Sequence, residues 1–108
     1  MVLIIRVIMT YLTLLEKHID ELGKILIAFE MGSPAAIRML EDEKKALALR
    51  YDIDDAAGLD FYAPACYNAL ATIRSAIEQE KPNPQLVSYV KDARDELCAI
   101  AEYMREAI

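Results

Sequence analysis

Residues 1–15 read MVLIIRVIMTYLTLL, and the nature of that run decides the fold. Three readings compete: a membrane span, a secretory leader, and a helix buried on several sides. From Val2 to Leu15 the run is interrupted only by Arg6, Thr10 and Thr13. A helix of that length spans about 21 Å, short of the roughly 30 Å hydrocarbon core, and Arg6 would lie inside it. A leader needs a basic start and a small-residue cleavage site. No Lys or Arg precedes this run, and Glu16-Lys17-His18 follows it. The expectation is therefore a buried helix and no membrane association.

The apolar spacing continues well past Leu15. Ile5, Ile8, Leu12, Leu15, Ile19, Leu22, Leu26 and Phe29 step by three and four without a break, the signature of a helix with one face against a core. Ala63, Cys66, Leu70, Ile73 and Ile77 repeat the pattern, as do Leu86, Val90, Ala93, Leu97, Ile100, Met104 and Ala107. A weaker stripe, Ile37, Leu40, Leu47 and Tyr51, is interrupted by the charged turn Glu41-Asp42-Glu43-Lys44-Lys45, which places Lys44 on the stripe. Its alkyl stem can follow the seam with the ammonium outside.

Three breakers separate these stretches. Met31-Gly32-Ser33-Pro34 ends one helix and opens the next, with Ser33 as cap and Pro34 as first residue. Gly58 can end a helix in a left-handed turn and Asp60 can cap its successor. Asn83-Pro84 repeats the cap-and-proline arrangement. The expected helices are 2–31, 34–57, 61–80 and 84–107. Short connections between long amphipathic helices favour antiparallel neighbours, so the expected fold is all-α: an up-down-up-down antiparallel four-helix bundle forming a single domain, 1–108.

Composition agrees. The chain has 108 residues, 56% of them hydrophobic, with only three glycines and four prolines. About half apolar is usual, so the excess implies a shared surface or a very dry interior. The net charge of −6, with no basic cluster beyond Lys44-Lys45, disfavours nucleic acid and anionic lipid surfaces. Two cysteines, Cys66 and Cys98, do not make a secreted disulfide scaffold; reduced thiols in the cytoplasm are the expectation.

The first helix carries more grease than one bundle needs. Beside its stripe, Ile4 and Tyr11 fill one flank, Val2 and Met9 the other, and Val7 and Leu14 a further position. A helix apolar nearly all round is buried nearly all round. At ~1.5 Å per residue it is also about 15 Å longer than the third helix, so one end must overhang or face a gap. The expected role is a non-enzymatic interaction or regulatory module, acting as a homodimer through helix 1. Its interface residues would be Leu3, Ile4, Val7, Tyr11 and Leu14, and a separate protein partner is a further expectation.

Two other functions fit particular residues. Cys66 and Cys98 each lie sixteen residues from Pro82, and His18 lies fourteen before Gly32. The three could share one layer of the bundle, and His and Cys are metal or haem ligands. No CxxC or HxxxH pair sharpens that reading, and no cofactor is expected. Alternatively, Asp52, Asp54, Asp55 and Asp60 around Gly58 could form an acidic docking loop, Asp52–Asp60, for a basic partner. This loop lacks the glycine position and twelfth-position Glu of a calcium loop. No glycine-rich phosphate loop, nucleophile-base pair or ExxH pair is present.

Overall fold

The computed structural model describes residues 2–56, 63–79 and 83–107, with the side chains of 2–5, 7–8, 51, 53–56, 63–66, 76, 83 and 107 outside that description. Four helices result: α1 (Val2–Glu30), α2 (Ala36–Ala56), α3 (Ala63–Glu78) and α4 (Asn83–Ala107). No strand occurs among the described residues. No helix among them is long and apolar enough to cross a membrane.

The connection between α1 and α2 shows how sequence sets a helix end. Gly32 takes a φ of 68°, which a residue without a Cβ adopts freely. The Ser33 N–H donates to the Ala28 carbonyl at 2.9 Å and the Gly32 N–H to the Phe29 carbonyl at 3.1 Å. These two bonds form a Schellman closure, satisfying carbonyls that the helix end leaves open. Ser33 then serves the next helix, its hydroxyl accepting from the Ala35 N–H at 3.3 Å.

The Ala36 N–H donates to the Ser33 carbonyl at 3.2 Å, a three-residue bond of 3₁₀ type. Pro34 and Ala35 therefore occupy a tight turn, and α2 begins at Ala36, two residues later than the cap signal implied. α3 spans Ala63–Glu78 and α4 spans Asn83–Ala107; the expected Gly58 helix end and Asp60 cap lie outside the described residues.

The helices form a ring. α1 packs on α2 and α4, and α3 packs on α2 and α4, while diagonal pairs do not pack among the described residues. The up-down-up-down order is compatible with this ring. The α1–α2 contact is the least extensive of the four. The molecule measures 47 × 23 × 17 Å, so α1, at about 43 Å, runs nearly its full length.

One core fills the ring. Leu15, Leu22 and Ile25 of α1, Leu40 and Leu47 of α2, Ile73 of α3, and Val90, Leu97 and Met104 of α4 are fully buried. Each contributes about 1.5–3 kcal/mol by leaving water.

Two stripes differ from their expected lines. In α1 the centre of the buried face runs through Tyr11, Leu15, Leu22 and Ile25, with Leu12, Ile19, Leu26 and Phe29 only partly buried beside it. In α2, Ala36 and Glu43 are buried while Ile37 is 41% exposed. Glu43, not Lys44, occupies the seam, because the buried line 36-40-43-47 keeps the 4-3-4 step that the core demands.

Candidate functional site

Each of the first two helices carries one polar residue in its buried line. On α1 the line passes through Tyr11, Leu15, His18, Leu22 and Ile25; on α2 it passes through Ala36, Leu40, Glu43 and Leu47. His18 Nδ1 and Glu43 Oε1 meet at 2.6 Å, with side-chain exposures of 14% and 5%. Helix runs of about 18 Å from His18 to Glu30 and about 10 Å from Ala36 to Glu43 separate them along the chain. Their contact is part of the packing of α2 on α1.

A carboxylate taken out of water must be paired and hydrogen-bonded. The imidazole supplies that partner: Nδ1–H donates and the Glu43 carboxylate accepts. This bond orients the ring. His18 also lines the groove between α1 and α2.

The groove has a volume of about 460 Å³. Leu14, Lys17 and Glu21 of α1 and Met39, Asp42, Ala46, Leu49 and Arg50 of α2 complete its walls. Apolar walls thus surround a polar floor, with charges of both signs at the rim.

The other flank of α1 faces α4. Here Arg105 Nη2 donates to Glu16 Oε1 at 2.6 Å. That hydrogen bond, with the Glu16 charge, raises the Arg105 pKa above its ordinary value. Cys98, a free thiol of intermediate exposure, lines this α1–α4 groove with Ile19 and Asp20.

Two of the three residues in the expected metal layer line different grooves. His18 opens on the α1–α2 groove and Cys98 on the α1–α4 groove. The Cys66 side chain lies outside the described residues. Among the described residues, no three His, Cys, Asp or Glu side chains gather so as to hold a metal ion.

Of the expected interface residues, the side chains of Leu3, Ile4 and Val7 lie outside the described residues. Tyr11 is only 3% exposed and packs in the chain's own core. Leu14 is half-buried and lines the His18 groove. Asp52 is exposed in the last turns of α2, while the side chains of Asp54 and Asp55 and all of 57–60 lie outside the described residues.

Sequence reading missed the His18–Glu43 pair. The sequence offers His18 as a metal-layer candidate and Glu43 as part of the charged turn Glu41-Asp42-Glu43-Lys44-Lys45. The usable signal was the shared spacing Leu-x-x-polar-x-x-x-Leu, at 15-18-22 and again at 40-43-47. Comparison with known families, curated proteins and solved structures gives no match.

Proposed function

We propose that the chain is a non-enzymatic interaction or regulatory module working as a homo-oligomer through α1. The observation that supports this reading is where exposed grease gathers. Met9 (54% exposed), Ile27 (56%), Met31 (79%), Ile37 (41%) and Leu49 (63%) all belong to α1, α2 or the turn between them. Among the described residues, the large apolar side chains exposed on α3 and α4 are Tyr67 and Tyr103, whose hydroxyls suit a wet surface. Single exposed apolar residues are ordinary; their number on α1, α2 and the turn between them supports this reading.

In this reading the helices alternate in direction, and the protein works in the cytoplasm, where the Cys98 thiol stays reduced. Molar mass by light scattering, across a tenfold dilution, tests it. A dimer mass that falls on dilution, and falls further in Met9→Glu, supports self-association through α1. A monomer mass at every concentration overturns it.

A further inference from the structure

We infer that the groove between α1 and α4 is a docking site for a basic amphipathic helix of another protein. This partner is additional to self-association, and the surface lies away from the His18 groove.

The groove runs in two connected stretches. One, of about 250 Å³, reaches Glu16 and Arg105; the other, of about 740 Å³, reaches Glu30 and Arg94. Ile19, Asp20 and Cys98 belong to both. From Glu16 to Glu30 the groove follows α1 for about 21 Å, roughly four turns of helix. A channel of that length between two packed helices accepts a third helix lengthwise.

Its floor is apolar, with one bare place. Ile19 and Leu26 are half-buried there, and Ile27 is 56% exposed. Gly23 lies between them. Glycine is the poorest helix former after proline. Gly23 takes no left-handed backbone angle, and beyond its own turn of backbone no described atom lies within 4 Å of where a Cβ would stand. Neither the helix nor packing within the chain calls for glycine here. The empty place admits a side chain from outside and lets a second backbone approach closely.

Charge names the occupant. Among the described residues, five acids and three bases line the groove, so its rims are net acidic. Of the bases, Arg105 is held by Glu16 at 2.6 Å and Lys24 lies 3.6 Å from Glu21. Asp20, Glu30, Asp95 and Glu102 remain against Arg94. A second copy is a poor match, because none of the four helices carries more bases than acids. A foreign helix with an apolar stripe bordered by Lys or Arg sets grease on the floor and base on both rims.

Fluorescence anisotropy on the full chain tests the proposal, with a labelled Leu/Lys amphipathic peptide of about 14 residues, one groove length. The control peptide carries Glu in place of Lys. The Leu/Lys peptide should bind about tenfold tighter or better than the control, and more weakly as salt rises. Gly23→Leu fills the bare place and should weaken binding by about tenfold, with circular dichroism confirming the fold. Asp20→Lys with Glu102→Lys should weaken it by a similar factor. Glu41→Lys with Glu78→Lys, at exposed positions on α2 and α3, makes the same change in net charge and should keep binding within about twofold. An equal loss in that pair would mean general attraction to an acidic molecule and overturns the groove. Binding indifferent to Gly23→Leu also overturns it. A Leu/Glu peptide that binds as well as the Leu/Lys peptide overturns the basic character of the partner.

Discussion

His18 and Glu43 occupy equivalent places in two identical frames. His18 lies between Leu15 and Leu22, Glu43 lies between Leu40 and Leu47, and their side chains meet at 2.6 Å where two leucines would otherwise pack. A hydrogen-bonded polar pair thus replaces an apolar contact in the seam.

The two halves of this pair should not be equal in stability. His18→Leu strands a carboxylate that is 5% exposed and should cost about 3 kcal/mol. Glu43→Leu leaves an imidazole that can stay neutral and reach water, and should cost about 1 kcal/mol. The double variant, leucine on leucine, should unfold within about 1 kcal/mol of the wild type or be more stable. Urea unfolding of the three variants is the check; losses that simply add would show that the pair is not coupled.

Leu47 and Leu49 stand two residues apart and should behave oppositely. Leu47 is fully buried and Leu49 is 63% exposed. Leu47→Ala should lose about 2–5 kcal/mol through the cavity it leaves. Leu49→Ala should change stability by less than about 0.5 kcal/mol, and its effect should appear in the dilution profile of the dimer. Thermal unfolding at one low protein concentration separates the two.

The two described glycines should respond with opposite sign to alanine. No atom lies within 4 Å of a Cβ built at either Gly23 or Gly32, so sterics do not decide. Gly32 holds a φ of 68°, and Gly32→Ala should cost about 1 kcal/mol at that left-handed position. Gly23 lies inside α1, and Gly23→Ala should add about 0.5–1 kcal/mol of helix stability. Equal shifts in melting temperature would contradict the Schellman assignment.

The Glu16–Arg105 ion pair joins α1 to α4 at 2.6 Å, yet its side chains are 44% and 50% exposed. Arg105→Gln should leave the unfolding midpoint nearly unchanged, because water and salt already compete for both charges. A large loss would mean that this contact, rather than the core, aligns α4 on α1.

The fold was legible because its determinants are local. Three apolar stripes of 3-4 spacing and three breaker clusters placed four helices, and at the Gly32 turn, where both flanking ends are described, each end falls within two residues of its expected place. The α1 line was misplaced by one flank for a clear reason. Two overlapping 3-4 lines run along α1, through Leu12-Leu15-Ile19-Leu22 and through Tyr11-Leu15-His18-Leu22. Apolarity alone favours the first, because the second contains a histidine. The structure buries the second because His18 finds a carboxylate on α2. Nothing within α1 announces that partner, and Glu43 sits among Glu41, Asp42, Lys44 and Lys45, where burial of one charge is invisible to a one-dimensional pattern. Pairing across helices is a tertiary fact, and so the candidate site was hidden while the scaffold was plain.

Identical leucine frames would let α2 slide along α1. A shift of one heptad, about 10 Å, again sets leucines against leucines. In the slid alignments Glu43 would face Tyr11 or Ile25, and His18 would face Ala36 or Arg50. A carboxylate buried against Tyr11 or Ile25 loses its imidazole partner and several kcal/mol with it. The pair therefore acts as an index mark between two otherwise repetitive rulers. It adds little to the native energy and raises the energy of every neighbouring alignment.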